Sequence, residues 1–113
     1  MIQCKTENRG QCTIVRIGEN RLDAVVSQDF KTFMLEIVEG GNLNIGIDMS
    51  KVGFIDSTGL GVLVSVLNRI GKNGTMFLWQ VSPEVKSIFE LTQLYKVLDI
   101  YETEDDAFHS SGR

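Results

Sequence analysis

The residues of this chain whose types and spacing could do chemistry stand together at Asp56, Ser57 and Thr58. A carboxylate beside two hydroxyl groups can cap a helix, supply a nucleophile, or offer a hydroxyl to an enzyme that transfers phosphate. A nucleophilic serine in an α/β hydrolase needs a Gly-x-Ser-x-Gly turn and a histidine base. Position 55 is Ile, and the sole histidine, His109, lies in a polar tail. We therefore expect no enzyme activity from this group.

The sequence contains few residues that could bind a metal ion or carry out redox chemistry. Cys4 and Cys12 lie on two short candidate strands, where they either face each other across a hairpin or remain buried free thiols, and a reducing cytosol favours the thiols. No histidine and cysteine cluster suits zinc. A receiver domain would need an acidic pair after its first strand to hold Mg²⁺, and Thr13–Ile17 is followed by none. We expect no metal and no cofactor.

Composition limits the partners of the chain. Its 113 residues, 42% hydrophobic and 23% charged, suit one domain over residues 1–113 with a buried core. A net charge of −4 and a pI near 4.9 argue against direct binding to nucleic acid or anionic membrane. The N-terminus lacks the apolar region of a signal peptide, and no apolar run approaches the ~20 residues that span a bilayer. We expect a cytoplasmic protein without membrane insertion.

Hydrophobic periodicity predicts alternating strands and helices. The segment Ile2–Thr6, the turn residues Asn8–Gly10 and the segment Cys12–Ile17 predict an antiparallel hairpin. Helical spacing follows in three places, and β-rich runs separate the helices. The predicted helices are about 24–39 (through Val26, Phe30, Phe33 and Ile37), from Leu60 to Gly71 (through Leu63, Val64, Leu67 and Ile70), and from Ser82-Pro83-Glu84 onward; the predicted strands are Asn44–Met49, Thr75–Val81 and Val97–Tyr101.

A short fourth helix is predicted after Thr103, where acidic residues suit a helix start, and residues 110–113 are expected to form a frayed end. The element order predicts an α/β fold with a mixed, mostly parallel sheet, an N-terminal antiparallel hairpin and about four helices. In such sheets, sites gather at the carboxyl ends of the strands, which is where Asp56-Ser57-Thr58 falls after the strand segment Phe54-Ile55.

Two interpretations of this junction remain open from the residues alone. One is simple capping of the second helix by a Ser, Thr or Asp side chain. The other is a modifiable serine on a helix that faces a partner. Gly59 and Gly61 weaken the first turn and open its N–H groups, Val62 and Val66 widen the apolar surface of the helix, and the helix dipole tolerates an added phosphate.

The stretch LNIGIDMSKVGFIDSTGLGVLVSVLNRIGKNG resembles the core signature of STAS domains, specifically the small bacterial anti-sigma factor antagonists. Leu22-Asp23-Ala24, Asp48-Met49-Ser50 and Val81–Val85 also fall where that family has similar residues. The likeness extends along nearly the whole chain, and its most specific part is Asp-Ser-x-Gly-Leu-Gly after a strand.

The resemblance implies a partner switch. In the family, the unphosphorylated antagonist binds an anti-sigma factor, often a serine kinase of the histidine-kinase-like ATPase fold, and frees a sigma factor. The kinase phosphorylates the motif serine, here Ser57 with Thr58 as the less favoured acceptor, and a PP2C-type phosphatase resets it. The partner contacts implied are Asp23, Asp56, Ser57, Thr58, Gly59, Leu60, Gly61, Val62 and Val66.

Two points limit the transfer of family properties. Many members read Gly-Glu-Leu/Ile-Asp after the second strand, whereas this chain reads Gly18-Glu19-Asn20-Arg21-Leu22-Asp23, so we do not predict the nucleotide contacts that are proposed near that Asp in relatives. The alternative interpretation of Asp23 is the N-cap of the first helix. The same fold also serves as an adaptor in lipid-transport complexes or signalling scaffolds, where neither Ser57 nor Thr58 need be modified. Detection of phosphorylated Ser57 would separate these roles.

Overall fold

The computed structural model describes residues 2–109 and folds them around a mixed β-sheet. The frayed end predicted for 110–113 lies outside the described residues. The strands and helices are, in chain order, β1 (Cys4–Arg9), β2 (Cys12–Ile17), β3 (Arg21–Leu22), α1 (Ser27–Glu39), β4 (Asn44–Asp48), β5 (Phe54–Ile55), α2 (Ser57–Ile70), β6 (Thr75–Trp79), α3 (Pro83–Leu91), β7 (Asp99–Tyr101) and α4 (Glu104–His109).

The main sheet has the strand order β1-β2-β4-β6-β7. β1 and β2 pair antiparallel, and the other neighbours pair parallel, which confirms the predicted hairpin and the mostly parallel sheet. The hairpin register places Cys4 opposite Ile17 and Cys12 opposite Arg9, so the two cysteines do not face each other, and both are free thiols. Burial raises the pKa of the Cys4 thiol to about 11, which keeps it protonated at neutral pH.

Helices cover both faces of the main sheet. Each crossover from β2 to β4, β6 and β7 reaches the neighbouring strand, and α1, α2 and α3 pack on one face over Val15, Ile47 and Leu78. α4 covers the opposite face, where Phe108 packs against the rings of Phe77 and Trp79. Burial on both faces explains why the central strands are apolar along their length.

A second, two-stranded parallel sheet was not predicted. It pairs β3 with β5 through Arg21 opposite Phe54 and Leu22 opposite Ile55. The N–H of Asp56 donates to the carbonyl of Leu22 at 3.2 Å, which extends this pairing to the start of α2. The small sheet therefore sets the position of α2 relative to the loop before α1.

The start of α1 differs from the prediction. The helix begins at Ser27 rather than near residue 24, and Asp23 is not its N-cap. The carbonyl of Asp23 accepts from the N–H groups of Val26 (3.1 Å) and Ser27 (2.9 Å), so the chain makes a turn before it becomes helical. The buried face also lies one residue further along than predicted, because Met34 and Val38 fill the core beside Phe30.

Candidate functional site

The Asp56 carboxylate organises the start of α2. Asp56 is the N-cap, with an extended backbone (φ −110°, ψ −174°), and its Oδ1 accepts from the N–H groups of Thr58 (2.9 Å) and Gly59 (3.2 Å). The Thr58 hydroxyl donates to the same oxygen. Because one side chain accepts from two otherwise unpaired N–H groups of the first turn, the cap is formed by Asp56 and needs no serine.

The second oxygen of Asp56 reaches the neighbouring loop. Oδ2 accepts from the N–H of Ala24 at 3.1 Å, which ties the first turn of α2 to the segment between β3 and α1. In that segment, Oδ1 of Asp23 accepts from the N–H of Val25 at 3.1 Å, and Oδ2 accepts from Arg21 Nε at 3.0 Å. The structure thus places Asp23 in the loop that Asp56 holds, and these are two of the residues that the resemblance implies as partner contacts.

Ser57 occupies the first position inside α2, and its side chain is exposed. Among residues 2–109, no hydrogen bond engages its hydroxyl, whereas the hydroxyl of Thr58 is occupied by Asp56. The two hydroxyl groups of the motif therefore differ in availability. Ser57 offers its hydroxyl to solvent, and Thr58 uses its hydroxyl inside the protein.

Both carboxylates stay charged at neutral pH. Donation by the Thr58 hydroxyl, followed by the N–H groups of the loop and helix, lowers the pKa of Asp56 below its ordinary value. The hydrogen bond from Arg21 lowers the pKa of Asp23, although the charge of Asp56 opposes that effect. The hydroxyl of Ser57 therefore stands beside fixed negative charge.

Gly59 and Gly61 lie in the first turns of α2, and the structure requires a glycine at only one of these positions. Gly59 is buried, and a Cβ there would overlap the Leu22 carbonyl oxygen and come within 2.9 Å of Ile55 Cγ1. Gly59 is thus required by the close approach of α2 to the small sheet, and the expectation that it opens the first turn from outside is wrong. A Cβ at Gly61 meets nothing within 4 Å, so no internal contact explains that glycine.

Val62 and Val66 do not form an extra exposed surface, and this expectation is corrected. They are 5% and 0% exposed and pack in the core with Leu63 and Ile70. The helix is rotated so that this face meets the sheet, and Leu60 remains half-buried. Of the predicted contact residues, Val66 and Gly59 are therefore buried, and Val62 is nearly so, although it borders the groove between α1 and α2.

Sequence reasoning missed three residues that lie around the Asp23 carboxylate, namely Val25, Arg21 and Phe54. Val25 is 86% exposed, and Phe54 is 38% exposed with the Arg21 guanidinium 4.2 Å above its ring centre. The alternation Phe54-Ile55, in which one residue faces the core and the other does not, was the available signal for Phe54. Nothing in the sequence marked Val25.

The surface around the site is concave in one place, between α1 and α2. A groove of about 280 Å³ between α1 and α2 is lined by Ser27, Lys31, Thr58, Gly61 and Ser65, among others. A larger cavity of about 620 Å³ lies away from Ser57, near Lys5 and Lys51. In the part of the chain that the structure describes, no three histidine, cysteine or acidic side chains are grouped to hold a metal ion.

Comparison with known proteins identifies the family of this chain. A family model for the STAS domain matches residues 3–107, and the chain belongs to the STAS domain family. An anti-sigma F factor antagonist of Paenibacillus polymyxa is 29% identical over 108 residues, which cover 94% of this chain and 92% of that protein. The resemblance predicted from the motif is confirmed.

Solved structures agree on the fold. An anti-sigma factor antagonist from Mycobacterium paratuberculosis superimposes with a TM-score of 0.89 at 24% identity, covering 100% of this chain and 96% of that one. The Bacillus cell fate determinant SpoIIAA in its phosphorylated form gives 0.72 at 18% identity, covering 98% and 100%. At these identities the two structures show the fold alone. Between residues 2 and 109, no helix combines the length and apolar composition that crossing a membrane requires.

Proposed function

We propose that this protein is an anti-sigma factor antagonist regulated by phosphorylation of Ser57. In its unphosphorylated form it binds an anti-sigma factor that is also a serine kinase of the histidine-kinase-like ATPase fold, and so releases a sigma factor in the cytoplasm. Phosphorylation by that kinase ends the complex, and a PP2C-type phosphatase restores the binding form. The protein is thus the substrate of an enzyme and has no catalytic role of its own.

The availability of the Ser57 hydroxyl carries the proposal. It is exposed at the first position of α2 and free of hydrogen bonds among the described residues, while its two neighbours are committed to each other. The cap is already supplied by Asp56, so a modification at Ser57 costs the helix no capping bond. These features favour Ser57 over Thr58 as the acceptor.

Charge explains how the modification would act. Phosphorylation adds about −1.5 to −2 charges at pH 7, next to the carboxylates of Asp56 and Asp23. The N–H groups of Thr58 and Gly59 already donate to Asp56, so the phosphate would gain the helix dipole without those two donors. A partner that covers this surface must bury the added charge, and every ~1.4 kcal/mol of that penalty lowers its affinity tenfold.

Three baits test the proposal in one experiment. Ser57→Ala, Ser57→Asp and wild-type protein serve as baits in extract of the source cell, and retained proteins are identified by mass spectrometry. We expect an anti-sigma factor of the ATPase fold on Ser57→Ala and its loss on Ser57→Asp. Ser87→Asp is the matched control, because it adds the same charge at an exposed serine of α3.

The acceptor is then checked with the purified kinase. Phosphate incorporation should persist in Thr58→Ala and disappear in Ser57→Ala. Equal retention of the partner by Ser57→Ala and Ser57→Asp would reject the switch. Recovery of a membrane transport complex or a signalling scaffold on all three baits would instead support the adaptor role that the same fold allows.

A further inference from the structure

Exposed apolar side chains lie in two places among the described residues. In the first, Val25 (86% exposed) follows Ala24, whose N–H donates to Asp56, and Phe54 (38%) lies three residues before Ser57 in the chain. The second holds Leu91 at the end of α3, with Tyr95 and Val97 between α3 and β7. An isolated exposed apolar residue is ordinary, but apolar residues held rigidly beside a functional site are typical of a protein interface. The first group has this character.

Val25 is held in place by the hydrogen bonds of the site itself. Its N–H donates to Asp23 Oδ1, and the N–H of the preceding residue, Ala24, donates to Asp56 Oδ2, both at 3.1 Å. The carbonyl of Asp23 also accepts from Ser27 at 2.9 Å, which fixes the far side of the turn. A branched side chain has few rotamers, and on a backbone held in this way it loses little conformational entropy when a partner covers it.

The backbone of Phe54 is held by the small sheet of β3 and β5. It pairs with Arg21 across β3 and β5, and the Arg21 guanidinium that lies over its ring is itself bonded to Asp23. Arg21 thus links the Phe54 ring to the Asp23 carboxylate, which also accepts from the N–H of Val25. Phe54 itself lies two residues before Asp56, the N-cap of α2.

We propose that Val25 and Phe54 form an apolar anchor surface for the anti-sigma factor, with Val25 entering an apolar pocket of that partner and Phe54 packing at the rim of the pocket. The inference rests on the proposed function and identifies the contact that supplies affinity there. Asp56 connects the two parts, since it precedes Ser57 in the chain and holds Ala24. The anchor surface and the phosphorylation site are therefore continuous, and a partner that buries Val25 also covers Ser57.

A matched pair of variants tests the anchor surface. Val25→Ser removes the apolar contact, and Val97→Ser makes the same change at a valine that is 58% exposed and precedes β7. β7 is an edge strand of the main sheet, whereas the loop with Val25 and the start of α2 adjoin the second sheet of β3 and β5, so the second change lies outside the site. Both side chains are exposed, and we expect both variants to keep the wild-type melting temperature.

The measurement is calorimetric titration of each variant with the purified anti-sigma factor that Ser57→Ala retains. We expect Val25→Ser to weaken binding at least about tenfold, as for an interface hot spot, and Val97→Ser to change it by no more than about twofold. With the same factor as kinase, Val25→Ser should raise KM and leave kcat unchanged, because Val25 does not carry the reacting hydroxyl. Phe54→Ala should give a smaller loss in the same direction.

The outcomes separate this inference from the proposed function. If wild-type protein binds, Ser57→Asp does not, and Val25→Ser binds like Val97→Ser, the anchor surface is wrong and the switch stands. If Val25→Ser and Val97→Ser lose affinity for the anti-sigma factor equally, the effect is not local and the anchor surface is again rejected. If no anti-sigma factor binds wild type or Ser57→Ala, the proposed function fails and this inference fails with it.

Discussion

The starts of α2 and α3 use the same residue types in different positions. In α3 the cap is Ser82, whose hydroxyl accepts from the N–H of Val85 at 3.3 Å, and Pro83 follows at the first helical position. In α2 the cap is Asp56, and a serine takes the first helical position. The comparison shows that one position decides whether a serine is structural or available, because a capping hydroxyl is engaged and the next one is not.

The close approach of α2 to the small sheet gives the largest expected effect. Gly59→Ala places a methyl group against the backbone oxygen of Leu22, which cannot rotate away, so we expect a loss of about 2–3 kcal/mol in the free energy of unfolding. Urea denaturation measures it. Gly61→Ala is the control, since its methyl group meets nothing and should stabilise the helix by up to about 1 kcal/mol. Equal stabilities of the two variants would show that Gly59 is not sterically required.

The Asp56 cap gives the next largest effect. Asp56→Asn keeps the shape of the side chain but replaces one acceptor by a donor, so the bond to Thr58 and Gly59 or the bond to Ala24 is lost. We expect a larger loss of stability than at the single-bond cap Ser82, together with weaker partner binding, because the loop that carries Val25 is attached to Asp56 through the N–H of Ala24. Urea denaturation at pH 7 and titration with the anti-sigma factor check the two effects.

The effect of Asp56 should also depend on pH with a definite sign. The folded protein lowers the pKa of Asp56 below the ~3.9 of an unfolded chain, so its stabilising contribution is present above about pH 4 and is lost as the pH falls through the folded value. The difference in unfolding free energy between wild type and Asp56→Asn should be constant from pH 7 to about pH 5 and shrink below pH 4. A difference that grows with acidity would contradict the assigned hydrogen bonds.

Sequence reasoning predicted what periodicity encodes. The hairpin, the alternation of strands and helices, and the position of Ser57 at a strand end all follow from local patterns, and the Thr103 start of α4 is confirmed by its bond from Asp106 N–H at 3.1 Å. The pairing of β3 with β5 was missed, because strands of two residues are too short to show a period.

The surface of the site could not be predicted from residue type. Val25 and Val66 are both valines, yet Val25 is 86% exposed and Val66 is fully buried. Their difference depends on how far α2 is rotated toward the sheet and on the turn that delays α1, and both are set by contacts distant in sequence. The partner surface that we propose therefore adds Val25 to the predicted Asp23 in the loop before α1, and it leaves out the buried Val66.

The comparison of the two serines gives the smallest effect and the sharpest test. Ser82→Ala removes the cap of α3 and should cost about 1 kcal/mol, whereas Ser57→Ala removes a hydroxyl without a partner and should leave the unfolding free energy within about 0.5 kcal/mol of wild type. Urea denaturation of the two variants side by side measures both. If Ser57→Ala lost as much stability as Ser82→Ala, Ser57 would support the helix. An effect of Ser57 variants on partner binding could then come from reduced stability rather than from regulation. Stability unchanged at Ser57, with partner binding abolished by Ser57→Asp, would assign the hydroxyl to regulation, because a group that stabilises nothing in the free protein acts only where a second molecule meets it.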